Sequence, residues 1–184
     1  MSACCFTGYR PEKFPFPLSA DNQDFRQFEQ KLYESIFALH ASGCDVFYCG
    51  GARGFDILAG ETVLLLKKRR PAKLIMALPF PIQSKKWNES EKEKYNSLLN
   101  EADEIIYLEN EYCKWAFQKR NKFMVDNSDI VLTFCDGKNG GTANTIKYAL
   151  SKGRRIINLA TDNPFEDEKS TLTQTGKQLL LNKI

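Results

Sequence analysis

Ser128-Asp-Ile-Val-Leu-Thr-Phe-Cys-Asp-Gly-Lys-Asn-Gly-Gly-Thr142, continued by Ala-Asn-Thr-Ile-Lys-Tyr-Ala-Leu150, is the stretch on which the fold turns. Ile130 to Cys135 is a short, nearly continuous apolar run, which suits a strand buried on both faces, while Ile146, Ala149 and Leu150 recur at helical spacing. The stretch therefore reads as strand, loop, helix. In the loop, Gly140 and Gly141 carry no Cβ, so the backbone turns sharply and comes close to a ligand; the helix that follows opens with unpaired N–H groups and a positive dipole end. On the residues alone two readings stay open. One is a phosphate seat assisted by the Thr142 hydroxyl; the other is a turn in which Thr142 caps the helix.

The same alternation extends outward in both directions. Strands are expected at Ala3 to Phe6, Asp45 to Cys49, Leu74 to Leu78, Glu104 to Leu108, Ile130 to Cys135 and Arg155 to Leu159. Between them, Phe25, Phe28, Leu32, Ile36 and Leu39 mark a helix from about Asp21 to Ala41. Further helices are expected at Phe55 to Lys68, at Ser90 to Ala102, and from Tyr112 through Arg120 and Val125. Strand alternating with helix predicts an α/β chain with a Rossmann-like, doubly wound, mostly parallel sheet covered by helices on both faces. Phe14-Pro15-Phe16-Pro17 is expected to pack across the sheet edge. The pattern defines one domain over 1–160 and a polar tail over 161–184, in which Leu179-Leu180-Leu181 can dock as a short helix.

Composition narrows the function classes. The net charge of +3 is too small to imply nucleic acid by itself, and no apolar run reaches membrane-spanning length. The first residues lack a basic segment followed by an apolar one, so the expected location is the cytoplasm. The six cysteines form no Cys-x-x-Cys pair and no metal-spaced cluster, and read as buried reduced thiols; no metal site is expected. His40 is the one histidine, and its expected role is structural.

In a parallel α/β sheet the ligand crevice lies at the carboxyl ends of the strands. Thr7-Gly8-Tyr9-Arg10-Pro11 follows the first strand, and Arg10 can offer a bidentate fork to a phosphate or carboxylate. Gly50-Gly51-Ala52-Arg53-Gly54 is a second glycine-rich strand-to-helix turn, but Asp56 stands in the first turn of its helix and competes with a phosphate for those amides. Asp56 therefore points to a sugar hydroxyl or a cap. Glu61 is either a solvated helix residue or a site carboxylate, and Lys67-Lys68-Arg69-Arg70 reads as a solvated helix end. Gln83 and Trp87 follow the third strand, where the indole can stack on a base or pack under the loop.

Taken in order, Thr7 to Pro11, Gly50 to Asp56, Pro79-Phe80 with Gln83 and Trp87, Arg120-Asn121 with Met124 to Asp126, Ser128-Asp129, and Gly140 to Thr142 resemble the YpsA-like family of the SLOG superfamily. The resemblance implies a Rossmann-like domain that binds nucleotides or nucleotide-derived molecules, ADP-ribose-like ligands included. Two related families supply alternatives. The lonely-guy phosphoribohydrolases carry Pro-Gly-Gly-x-Gly-Thr-x-x-Glu, whose glutamate takes part in cleaving an N-glycosidic bond; here Thr145 stands at that place, and a hydroxyl does not replace a carboxylate in stabilising positive charge on the sugar. The DNA-processing protein A family, which binds single-stranded DNA, has an Arg-Asn and Ser-Asp pattern similar to Arg120-Asn121 and Ser128-Asp129.

The expected function is binding of a small-molecule nucleotide derivative (a nucleoside phosphate, NAD or ADP-ribose) in a sensor or regulatory role, with a homo-oligomer compatible with it. Gly140, Gly141 and Thr142 are assigned to the phosphate, Arg10 and Arg120 to its charge, and Gly8, Gly50 and Gly51 to close approach. Asp56 is assigned to a ribose hydroxyl, and Gln83 and Trp87 to the base. A nucleoside monophosphate phosphoribohydrolase is the first alternative, and a single-stranded DNA-binding accessory protein the second.

Overall fold

The apolar run that begins at Ile130 forms a strand buried at every position from Ile130 to Phe134, because parallel neighbours flank it and helices cover it. The computed structural model describes residues 2–137 and 140–160. In chain order the elements are β1 (Ser2–Gly8), a 3-10 turn (Pro11–Lys13), α1 (Gln23–Ala41), β2 (Cys44–Cys49), α2 (Phe55–Lys67), β3 (Lys73–Leu78) and α3 (Glu89–Glu101). They continue with β4 (Glu104–Tyr107), α4 (Ala116–Asp126), β5 (Ile130–Phe134), α5 (Gly141–Ser151) and β6 (Arg155–Asn158). All six strands are parallel, in the order β4-β3-β2-β1-β5-β6. The chain steps outward from β1 to β4, then returns to the other side of β1, which places a topological switch point between β1 and β5. The expected doubly wound α/β architecture is the one observed. The expected tail helix at Leu179–Leu181 lies outside the described residues.

Helix α2 is apolar nearly all round because it sits between α1 and α3 and packs on β1, β2 and β3. Helices α4 and α5 pack together and on the sheet, over a smaller cluster of Cys5, Ala77, Met124, Val125, Val131 and Ala149. Local chemistry sets the helix starts. Asn22 accepts from the Phe25 N–H at 2.9 Å, and Asn88 with Glu91 completes a capping box, so α3 opens one residue before Ser90.

Two expectations are corrected. Helix α4 starts at Ala116 rather than Tyr112: Tyr112 leaves the helical line to meet Phe80 edge-on, ring centroids 5.6 Å apart. The Phe14 to Pro17 connector packs over the carboxyl end of β5, an interior strand beside the edge strand β6, and not across the edge itself. Phe14 stacks on Phe134, the last residue of β5, at 5.1 Å, and Phe16 packs on Phe28 and Phe134. That aromatic cluster seals the core beneath the carboxyl ends of β1 and β5 and fixes the loops above it.

Candidate functional site

The loops leaving β1, β2, β3 and β5 converge at one end of the sheet, and buried polar groups tie them together. Arg120, only 5 % exposed, donates through Nη1 to the Gly50 carbonyl and lies 4.0 Å from Asp56 Oδ2. Asp56, 4 % exposed, accepts from the Ala52 N–H at 3.3 Å. Burial pushes the Asp56 carboxyl up to about 6 against the opposing pull of Arg120, the Ala52 amide and Arg10. Burial likewise lowers the proton affinity of the Arg120 guanidinium, which Asp56 counters. From Arg120 the network runs on: Nε donates to Asn121 Oδ1 at 2.7 Å, Asn121 Nδ2 donates to Thr145 Oγ1 at 2.9 Å, and Thr145 donates to the Gly141 carbonyl at 2.9 Å. The two glycine turns, far apart in sequence, are thus one connected unit.

Gly50 and Gly8 serve this interior. A Cβ on Gly50 would lie 2.0 Å from Arg120 Nη1, and one on Gly8 would lie 2.3 Å from the Phe55 ring. Gln83 spends its amide on the Gly50 and Gly51 carbonyls, at 3.4 and 3.3 Å, and on the Tyr95 hydroxyl at 3.2 Å. Thr142 does not cap α5; Gly140 is the N-cap residue, and the Thr142 hydroxyl donates to the Gly8 carbonyl at 3.0 Å, clasping β1 to α5. Tyr9 adds a second clasp, its hydroxyl donating to Asp136 and accepting from the Asp136 N–H at 2.8 Å. Gly141 is different. Among the described residues a Cβ there meets nothing within 4 Å, which leaves the start of α5 open toward them.

Two clefts flank this network. The first, ≈480 Å³, is lined by Arg10, Arg53, Gln83, Lys85, Lys86 and Trp87 together with Phe80, Tyr112 and Phe117. The second, ≈570 Å³, lies between α4 and α5, with Gly141 and Thr145 on one wall, Lys114, Trp115 and Lys122 on the other, and Phe117 shared with the first. Among the described residues that line them, neither cleft has a carboxylate. Arg10 is exposed and has no ion pair among the described residues, whereas Arg53 is held by Glu12 and, at 3.3 Å, by Glu91.

Of the residues singled out in the sequence, Arg10, Gln83 and Trp87 meet in the first cleft and Gly141 lines the second. Gly8, Gly50, Gly51, Asp56, Arg120 and Thr142 lie beneath, in the network that joins them. Gly140 precedes α5, where a Cβ would come 3.3 Å from Lys13 Nζ. Sequence reasoning missed Lys13, Lys85, Lys86, Tyr112, Asn121 and Phe117 as site residues. The run Lys85-Lys86-Trp87, basic and aromatic just after a strand end, was the signal available for two of them.

The sequence model of the YpsA family, described as the YspA SLOG family, matches residues 4–177. The chain belongs to the YspA SLOG family. This SLOG chain is 37 % identical over 135 residues to the uncharacterized SPbeta prophage-derived protein YoqJ of Bacillus subtilis, covering 65 % of this chain and 79 % of that protein. It is 26 % identical over 158 residues to the UPF0398 protein YpsA of Bacillus subtilis, covering 84 % and 86 %. Among solved structures it is similar to DNA processing protein A of Streptococcus pneumoniae, with a TM-score of 0.58 at 17 % identity, over 95 % of this chain and 56 % of that one. It is also similar to DNA processing protein A of Helicobacter pylori, solved for its single-stranded DNA binding mode, with a TM-score of 0.61 at 21 % identity, over 95 % and 73 %. At these identities the likeness to solved structures establishes the fold.

Proposed function

We propose that this SLOG chain binds a phosphate-bearing nucleotide or nucleotide derivative, of the nucleoside phosphate, NAD or ADP-ribose kind, in a sensing or regulatory role in the cytoplasm. The observation that carries the reading is the composition of the paired clefts. Arg10, Arg53, Lys85 and Lys86 line one, Lys114 and Lys122 the other, and aromatic rings stand beside them with no carboxylate among the described lining residues. Such a lining attracts phosphate and offers rings on which a base can stack. The phosphate sits toward the open start of α5 at Gly141, whose first amides have no intrahelical acceptor, with Arg10 as its counter-charge. The base lies against Trp87 and Tyr112. Asp56 and Arg120, buried under the loops, act by holding the Gly50 turn in shape.

Binding is favoured over turnover. The Thr145 hydroxyl is committed to the Gly141 carbonyl and to Asn121, and that position brings no carboxylate to a glycosidic bond.

A second reading, a single-stranded DNA-binding accessory protein, is favoured by a specific feature: Tyr112 and Trp115 are 68 % and 61 % exposed beside lysines, with Lys114 Nζ 5.0 Å from the centre of the Trp115 ring. Exposed rings interleaved with cations are how single strands are held without sequence preference. Calorimetric titration of the full chain with ADP-ribose, NAD, nucleoside phosphates and an oligothymidylate tests both. A mononucleotide or dinucleotide that binds tightly, with an oligothymidylate that does not, supports the first reading. Strand affinity that falls steeply between about 50 and 200 mM salt supports the second.

A further inference from the structure

On the other side of Trp87 lies a cavity of ≈470 Å³ between α1, α2 and α3, whose character is opposite to that of the clefts above. Its floor is apolar: Leu18, Phe25, Ile57, Leu58 and Trp87. Three carboxylates stand around it, Glu29 from α1, Glu61 from α2 and Glu91 from α3, against two cations, Arg53 and Lys94. Arg53 is already claimed by Glu91 and by Glu12, and Lys94 reaches Glu61 only at 3.8 Å. Glu29 has no ion pair or hydrogen bond among the described residues. Glu29 is exposed at the rim, and it shares with Glu61 both this cavity and the adjoining groove between α1 and α2; partial burial raises the Glu29 carboxyl, Lys94 opposes this, and the like charge of Glu61 adds to it.

We propose that this cavity is a second ligand site, for a small organic cation: an ammonium group set between Glu29 and Glu61, on an aromatic or branched apolar body packed over Ile57, Leu58 and Trp87. The charge complementarity is specific, because an added ammonium relieves the repulsion between Glu29 and Glu61 and an added carboxylate increases it. The apolar floor supplies the burial that a small ligand needs. Trp87 and Arg53 line both this cavity and the first cleft, so an occupant here touches two walls of the nucleotide site. Resting on the proposed nucleotide reading, the cation is then an effector, and any coupling between the two ligands is reciprocal.

The test contains no nucleotide, so its outcome is independent of that reading. Trp115→Phe leaves Trp87 as the one tryptophan of the two in the chain. Full-length Trp115→Phe protein is titrated with phenethylammonium and, separately, with phenylacetate, following indole emission, with calorimetry on the unmodified chain in parallel. The expected result is saturable binding of phenethylammonium, at least a tenfold loss of that affinity in Glu29→Gln with Glu61→Gln, and any phenylacetate response, which the basic first cleft can give through Trp87, left unchanged by the double variant. The absence of saturable phenethylammonium binding overturns the proposal, as does an unchanged phenethylammonium affinity, or an equal loss for both probes, in a folded double variant. Should the double variant not fold, Glu29→Gln alone, a change at an exposed residue, decides by the same loss of phenethylammonium affinity.

Discussion

Asn121 Nδ2 donates to Thr145 Oγ1 at 2.9 Å, and this one bond joins the Arg120–Asp56 pair under the first glycine turn to the Gly141 carbonyl in the second. Thr145→Val keeps the volume and removes the hydroxyl, leaving the Asn121 donor without that acceptor. The expected loss of stability is about 1–3 kcal/mol, the cost of an unsatisfied buried polar group, read as a shift of the denaturant midpoint without a change of slope. An unchanged midpoint would show that the bond does not couple the turns.

The two turns should answer differently to a single methyl group. Gly50→Ala drives a carbon into Arg120 Nη1, and overpacking of this kind costs about 1–3 kcal/mol. Gly141→Ala meets none of the described residues at the start of α5 and should change stability by no more than about 0.5 kcal/mol. Thermal denaturation of both variants checks the contrast, and equal losses would contradict it.

Asp56 supplies a pH signature. Its folded carboxyl is raised from 3.8 to about 6, so the folded chain holds that proton more tightly than the unfolded chain. The stability this contributes is fully present below about 3.8 and is lost as pH rises through about 6. Asp56→Asn removes this component, so the variant should improve relative to the unmodified chain between pH 4 and pH 6.5. Paired urea titrations across that range measure the difference. A difference that stays flat with pH would contradict the assignment.

Trp115 separates the two functional readings, whereas Tyr112 serves both. If single strands are the ligand, Tyr112→Ala and Trp115→Ala should each weaken oligothymidylate binding by about 1–3 kcal/mol, the usual worth of one stacked base. If the ligand is a single nucleotide derivative, Trp115→Ala should cost less than the loss of a stacked base, because in that pose the base lies against Trp87 and Tyr112 in the first cleft and Trp115 stands only in the second, on the side of the phosphate. Fluorescence anisotropy on labelled ligands distinguishes these outcomes.

The sheet was legible because buried parallel strands announce themselves as apolar runs between amphipathic helices, and Ile130 to Phe134 is such a run. The gathering of the glycine turns at the carboxyl ends of the strands followed from general rules of doubly wound sheets, whereas the strand order came only with the structure. What escaped was the direction in which the polar residues face. Asp56, Arg120 and Gln83 look like ligand contacts in a linear reading, yet they hydrogen-bond the turn itself, because a loop of close-packed glycines must satisfy its carbonyls and amides from nearby side chains. Tyr112 escaped for another reason. Its spacing continues the α4 stripe, and only its contact with Phe80, remote in sequence, takes it out of the helix.

The central claim is tested most directly at Gly141. An aspartate there suits the first turn of a helix and meets no neighbour within 4 Å of its Cβ among the described residues, so Gly141→Asp should fold normally while placing an anion in the phosphate seat. Calorimetric titration of both proteins with nucleoside phosphates, NAD and ADP-ribose is the measurement. The account predicts that at least one of these binds the unmodified chain and that Gly141→Asp abolishes its binding. The same affinity in both proteins, or no binding of any of them to the unmodified chain, would contradict it.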